Sequence, residues 1–190
     1  MKKKLLAIGS LAAVSLYAPH SAMAAQATAN ATATIQQAVD IYKNTDNTYT
    51  GGDLAFGTML ALGSSGTVTI DPTKAHADQR SASSVTLVAE GTGLTKYGAA
   101  EFVCTGAKST QYTITVPSEG ITIKDNGGTG SNSMTVDTFT AGNLTASVSG
   151  GTLDASSGTS SFHVGGKLHV GASQAAGTYT GTFNVTVAYQ

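Results

Sequence analysis

Tryptophan is absent from the 190-residue sequence, cysteine occurs once, and charged residues make up only 11% of the chain. Globular proteins usually carry about a quarter, so this surface is polar but largely uncharged. The composition argues against nucleic acid as a partner, because nucleic-acid-binding proteins need a basic face. Disorder is excluded, since apolar residues amount to 41% and recur regularly.

Sequence motifs for catalysis, phosphate binding and dinucleotide binding are missing as well. His163 and His169 share the polar phase of one predicted strand and would lie about 20 Å apart, too far to hold one metal ion. His76 falls in a polar loop. We therefore expect these histidines to be exposed, and we expect no metal, no cofactor and no enzymatic activity.

Acidic residues offer only weak candidates for a site. The segments 44–53 and 124–132 mix Asp, Asn and Gly, but neither has the ligand spacing of a calcium loop, and tight turns use the same residues. Glu90 and Glu101 are interpreted as ordinary charges at strand edges rather than as a general acid–base pair. Sugar binding is weakly supported without tryptophan, although some tyrosines could serve: Tyr42, Tyr49, Tyr97 and Tyr112.

The single cysteine excludes a disulfide within the chain. Cys104 lies in phase with Phe102, so we expect it to be a small, buried hydrophobic residue. Pairing with another chain is the alternative, whereas a reactive thiol would need an exposed, electropositive setting.

The N-terminus has the organisation of a secretory leader. A basic start precedes a mostly apolar run at 5–19, which is shorter than the roughly 20 residues of a membrane-spanning helix. Small residues at 21–24 offer a cleavage site. We predict a signal peptide at 1–24, whose removal changes the formal net charge from −1 to −4, and a single domain at 25–190. A retained anchor is the alternative, and no later segment is apolar enough to span a membrane.

The rest of the chain shows the period-two alternation of β-strands and almost no helical periodicity. Strands separated by Gly- and Ser-rich turns are predicted at 54–62, 67–71, 84–90, 100–106, 111–117, 120–124, 133–139, 143–149, 161–170 and 178–189. The segment 34–44 fits either a helical turn or a strand. Many short strands without helices predict an antiparallel β-sandwich or barrel.

The last two predicted strands, 161–170 and 178–189, are joined by a short loop. We therefore expect them to form a final hairpin. Gly165 and Gly166 inside the first of these strands indicate either a β-bulge or a two-residue turn.

The last fourteen residues, GTYTGTFNVTVAYQ, form the most regular strand pattern of the chain. The large apolar residues share one phase, threonines and an asparagine fill the other, and neither Pro nor a charged residue interrupts it. A strand of this kind at a sheet edge promotes association with another chain.

This ending resembles the C-terminal signature of chaperone–usher fimbrial subunits of Gram-negative bacteria, which have a penultimate Tyr and a Gly fourteen residues from the end. Tyr189 and Gly177 occupy these positions. The chain also resembles a family of uncharacterised exported β-sandwich domains of such bacteria. That resemblance extends over most of residues 54–190 and rests on five segments: LAFGT (54–58), Phe102 to Gly106, YTITVP (112–117), VGGKLHVG (164–171) and 177–189.

The fimbrial resemblance implies an immunoglobulin-like sandwich that lacks one strand, which leaves a groove beside the C-terminal strand. A periplasmic chaperone would fill the groove first, and the N-terminal extension of the next subunit would replace it during assembly at an outer-membrane usher. Fimbrial subunits of this type often carry a cysteine pair, from which the single Cys104 departs. By this resemblance, six residues would line the groove or its chaperone contact: Gly177, Tyr179, Phe183, Val185, Val187 and Tyr189.

Residues 25–36 are interpreted in two ways. The segment has the alternation of a donor strand, with one phase formed by Ala27, Ala29, Ala31, Ala33 and Ile35. Alanine fills a pocket poorly, however, so 27–41 is equally well the first strand of a complete domain, pairing within its own chain.

The sequence therefore predicts an exported, non-enzymatic β-sandwich that acts as a fimbria-like subunit. It would pass through the periplasm to the cell surface and have copies of itself as partners. The alternative is a self-complete, monomeric secreted module that binds a glycan or a host protein.

Overall fold

The computed structural model describes residues 26–92 and 95–190, so the predicted signal peptide at 1–24 lies outside the described residues. The chain divides into two units, Met1–Thr34 and Ile35–Gln190. In the first unit, the described residues 26–34 have no regular secondary structure and expose their side chains.

The regular secondary structure described in the second unit consists almost entirely of short antiparallel strands, which are joined by turns and loops. The strands are β1 (Asp40–Lys43), β2 (Ala55–Phe56), β3 (Met59–Leu60), β4 (Gly66–Ile70), β5 (Arg80–Ser83), β6 (Thr86–Leu87), β7 (Tyr97–Gly98), β8 (Ala100–Thr105), β9 (Gln111–Thr115), β10 (Ile121–Lys124), β11 (Ser133–Gly142), β12 (Gly150–Thr152), β13 (Thr159–Val170) and β14 (Thr186–Tyr189). Helical turns occur at His76–Asp78 and Asp125–Gly128. None of the described helices is long and apolar enough to cross a membrane.

Two sheets organise these strands. The large sheet has the order β1-β8-β13-β11-β10, and β4 and β5 extend it beside the second half of β13. The small sheet has the order β12-β9-β14, and two ribbons, β2-β7 and β3-β6, complete the pairing. The all-β, antiparallel, sandwich-like fold predicted from the sequence is therefore confirmed.

The core lies between the large and small sheets and contains residues of both. Phe162, Val164 and Leu168 of β13 are buried in the same cluster as Tyr112 of β9 and Leu153. The alternation predicted for β13 explains this, because every second side chain of a strand points to the same face. Cys104 belongs to this cluster and is fully buried, which confirms its predicted role as a small hydrophobic residue.

The expected final hairpin is wrong. β13 pairs with β4, β8 and β11, whereas β14 pairs with β9 of the small sheet. The chain after β13 first reaches β10, where Thr180 and Lys124 form an isolated bridge, and then continues to the small sheet. Period-two alternation shows which face of a strand is apolar, but it does not identify the neighbouring strand.

The pair Gly165-Gly166 forms neither a turn nor a bulge of its own strand, since β13 is continuous from Thr159 to Val170. The bulge lies on the facing strand β11, where the register shifts between Asp137 and Thr140 and Thr138 has a positive φ of 51°. A side chain at Gly165 would collide with the carbonyl oxygen of Ile70, so this glycine permits close backbone packing.

Other differences from the predicted strands have local causes. The expected strand at 54–62 is split into β2 and β3 by Gly57, whose φ is 73°. The expected strand at 143–149 is a turn, because the Asn143 side chain accepts the backbone N–H groups of Thr145 and Ala146.

Candidate functional site

The C-terminal segment alternates in burial as the sequence predicts. Phe183, Val185, Val187 and Tyr189 are half-buried, and the residues between them are exposed. The half-buried side chains pack against the core cluster. Phe183 lies with its ring centroid 5.0 Å from that of Phe139 and 6.4 Å from that of Phe102, so it joins this segment to the large sheet.

One edge of the C-terminal segment has no strand partner among the described residues. β14 pairs with β9, and the register directs the backbone N–H groups of Thr186 and Ala188 toward β9 and those of Val187 and Tyr189 away from it. The predicted strand at 178–189 is too long, since only Thr186–Tyr189 form a strand and residues 181–185 belong to no described strand. The result is an uncharged edge backed by a row of half-buried apolar side chains, which we call the open edge (181–189).

Tyr189 closes one end of the open edge. Its hydroxyl accepts the backbone N–H of Ala107 at 2.7 Å and donates to the carbonyl oxygen of Gln37 at 2.7 Å. Gly106 makes room for the phenol, because a Cβ there would collide with the Tyr189 hydroxyl. The penultimate tyrosine therefore links the end of the small sheet to the segment that precedes β1.

The two remaining predicted interface residues lie in the loop before this edge. The Tyr179 hydroxyl donates to the carbonyl oxygen of Ala175 at 2.8 Å and accepts from the Gln174 side chain, so its polar contacts are local. Gly177 is exposed, and a side chain there would make only ordinary contacts, the nearest at 3.6 Å. The structure brings together Phe183, Val185, Val187 and Tyr189 and leaves Gly177 and Tyr179 outside their row.

The candidate donor strand is unpaired. Ala27, Ala29, Ala31 and Ala33 lie in the exposed first unit, and Ile35, at the start of the second, is 98% exposed. Of the segment 27–41, only Asp40 and Ile41 are in a strand, β1, which pairs with β8.

Each described histidine lies near a carboxylate, and only His169 is exposed as predicted, whereas His76 and His163 are half-buried. His76 lies 3.2 Å from Glu90 and His169 lies 3.0 Å from Asp137. His163 is the clearest correction, since its side chain is only 15% exposed and its Nδ1 is buried without a hydrogen-bond partner. Burial lowers the pKa of His163, although Glu101 at 3.9 Å acts in the opposite direction.

Glu101 lies within the large sheet and not at a strand edge as expected. Asn44 and Asn47 donate to its two carboxylate oxygens at 2.9 and 2.8 Å. Burial opposes ionisation, but these hydrogen bonds and His163 hold the pKa of Glu101 below its usual value. The carboxylate therefore anchors the loop 44–53 over the sheet. In the described residues, no three His, Cys, Asp or Glu side chains form a group that could hold a metal ion.

The four tyrosines considered for sugar binding have different environments. Tyr112 is buried and donates to the Ser160 hydroxyl, whereas Tyr42 on β1 is 51% exposed. Tyr49 and Tyr97 lie on the two sides of the His76 ring. This stacking was not predicted, since the three residues are far apart in the sequence.

Fold and site together define an all-β, sandwich-like domain with an open edge at 181–189 in the described residues. The chain belongs to the family described as "Domain of unknown function (DUF4402)", whose sequence profile matches residues 46–189. The expected membership in a family of uncharacterised domains is confirmed at this level. Neither the curated proteins nor the solved structures contain a match to the chain.

Proposed function

We propose that the protein is an exported, non-enzymatic, fimbria-like structural subunit that assembles by β-strand addition at the cell surface. The observation that carries this proposal is the open edge at 181–189. An unpaired strand edge without charge or proline is normally covered, because it offers free ladder hydrogen bonds to any extended segment.

Strand addition at this edge would use two sets of interactions. Backbone groups of Val187 and the unpaired residues 181–185 would supply ladder hydrogen bonds, and these give affinity without sequence preference. The half-buried row of Phe183, Val185 and Val187 would gain cover from alternate side chains of the added strand. Full burial of an exposed large apolar side chain contributes about 1.5–3 kcal/mol, and these half-buried side chains would gain part of that.

The unpaired segment 26–36 is the candidate for the added strand, supplied by a second copy of the chain. It alternates in the sequence, and Ile35 is its one large apolar residue. A head-to-tail contact of this kind does not close on itself, so it would build open fibres. A periplasmic chaperone and an outer-membrane usher are proposed partners, since an open edge needs protection before assembly.

A self-complete, monomeric binding module is the second candidate. The observation that favours it is the hydrogen bond from the Tyr189 hydroxyl to the carbonyl oxygen of Gln37. This bond attaches the segment before β1 to the C-terminal strand within one chain. In that case the edge would be left free and the binding site would lie elsewhere.

Electron microscopy of the purified protein, together with gels run without boiling, tests the proposal. Fibres and a ladder of heat-sensitive multimers are expected. The same preparation with residues 25–36 deleted should contain folded monomer alone. Exclusively monomeric protein from both preparations, and on sheared cell surfaces, would overturn the proposal.

A further inference from the structure

Four planar groups form a continuous column on one side of the large sheet. The Tyr49 and His76 rings are stacked with centroids 3.6 Å apart, and the His76 and Tyr97 rings with centroids 4.5 Å apart. The Arg80 guanidinium lies 4.0 Å from the centroid of Tyr97. The rings are inclined to one another by only 14° and 13°, so the three rings are nearly parallel.

The inner end of the column is closed. Arg80 donates to the carbonyl oxygens of Phe56 and Val88 at 3.2 and 2.8 Å, which holds its guanidinium against Tyr97. Glu90 accepts the backbone N–H of Tyr97 at 2.9 Å and pairs with His76. The inner three members are therefore fixed by hydrogen bonds as well as by stacking.

The outer end of the column is Tyr49, which is 46% exposed. Its position is nevertheless fixed, because the Asn47 side chain accepts the backbone N–H of Tyr49 at 3.0 Å and donates to Glu101. Single exposed aromatic residues are common on protein surfaces, but this one is stacked on His76 and follows an anchored turn. In binding sites the same arrangement provides contact area at little entropic cost.

A positive charge lies over the exposed ring. The Lys96 ammonium is 6.0 Å from the centroid of Tyr49 and donates to the carbonyl oxygen of Thr48 at 3.1 Å. An ammonium has three protons to donate, so Lys96 retains donors for a ligand. Tyr49 and Lys96 thus place an exposed aromatic ring and a cation close together.

We propose that Tyr49 is the stacking platform of a saccharide-binding site, and that Lys96 selects a hexopyranose that carries a carboxylate. The apolar C–H face of a pyranose ring matches the exposed face of Tyr49, and the sugar carboxylate would pair with the Lys96 ammonium. The site is independent of strand addition, since it uses neither the open edge nor the segment 26–36.

Titration of the isotope-labelled protein with tri-galacturonic acid, followed by NMR, tests this proposal. Shifts are expected around residues 46–50 and 96–97. Tyr49→Ala should weaken binding by about tenfold or more, whereas Tyr49→Phe, which keeps the ring, should bind nearly as well. Tyr42→Ala removes a similarly exposed tyrosine outside the column and should leave binding unchanged. Lys96→Gln should weaken binding of tri-galacturonic acid but not of its methyl ester.

Three outcomes would overturn the proposal. The first is an absence of shifts with either trisaccharide up to millimolar concentration. The second is binding that Tyr49→Ala leaves intact, and the third is equal weakening by Tyr42→Ala. The thermal midpoint of each variant is the control for folding, and Lys96→Gln, which should weaken binding of the acid but not of its methyl ester, keeps the test valid if Tyr49→Ala is unfolded. Loss of fibres in the strand-addition experiment would leave this result unaffected.

Discussion

The Tyr189 hydroxyl donates a 2.7 Å hydrogen bond to the carbonyl oxygen of Gln37, and so joins the penultimate residue to the segment ahead of the first strand. The Tyr189 hydroxyl oxygen also accepts the backbone N–H of Ala107. One phenol therefore satisfies two backbone groups that belong to different parts of the chain.

Tyr189→Phe should destabilise the protein by about 1–3 kcal/mol, because it leaves the partly buried backbone N–H of Ala107 without a partner. Urea denaturation measures the change in the free energy of unfolding. Tyr179→Phe is the matched control, since the Tyr179 hydroxyl bonds within its own loop, and we expect its effect to stay within about 0.5 kcal/mol. Equal effects of the two substitutions would contradict the role given to Tyr189.

Gly106→Ala should also destabilise the protein, because its Cβ would collide with the Tyr189 hydroxyl. The cost should be smaller in a Tyr189→Phe background, where the colliding oxygen is absent. A double-mutant cycle measures this coupling, which we expect to be about 0.5–3 kcal/mol. Additive effects would show that the contact with Leu153, 3.0 Å from the same position, dominates instead.

Phe183→Ala should cost about 2–4 kcal/mol, since the ring packs on Phe102 and Phe139 but remains half-buried. Thr182→Ala, at an exposed neighbouring position, should change the free energy of unfolding little. A small loss at Phe183 would indicate that the C-terminal segment contributes little to the core in solution.

Ile35→Asp should abolish fibres if the segment 26–36 is the added strand, because a carboxylate would enter an apolar groove unpaired. Thr34→Asp places the same charge on the opposite phase of the segment and should preserve assembly. Ile35 is 98% exposed, so neither substitution should alter the stability of the monomer. Fibres that survive Ile35→Asp would exclude this segment as the donor.

Acid should destabilise the protein partly through His163. Burial lowers the pKa of His163 from 6.5 in the folded state, so the unfolded chain binds the proton more readily. The corresponding stability is present above about pH 6.5 and is lost as the pH falls through the folded pKa. His163→Gln should reduce the decline in the free energy of unfolding between pH 7 and pH 5, roughly the range over which histidine titrates. An equal decline in the unsubstituted protein and in His163→Gln would contradict this role of His163.

The sequence predicted the strands whose alternation reaches the core. β8, β9 and β10 begin and end within two residues of the predicted positions, because their buried side chains share one phase. It also predicted which residues of the last strand face inward. It did not predict the partner of that strand, since Val185 and Val187 present the same apolar phase to any neighbour.

The environment of the histidines could not be predicted for a different reason. His163 lies on the face of β13 opposite the core, where alternation predicts exposure. The loop 44–53 covers this face, because Asn44 and Asn47 bind Glu101 more than 50 residues away in the sequence. The column of Tyr49, His76, Tyr97 and Arg80 likewise depends on contacts between residues that are distant in the sequence.

Gly57 connects the irregular part of the fold with the column. Its left-handed backbone splits a strand into two short pieces, and a side chain there would collide with the Arg80 guanidinium. The break in the strand therefore leaves the space that the Arg80 guanidinium, the inner end of the column, occupies. We therefore expect a random screen for loss of saccharide binding to recover substitutions of Gly57. Three side chains, those of Arg80, Tyr97 and His76, lie between this glycine and the Tyr49 ring that the sugar would touch.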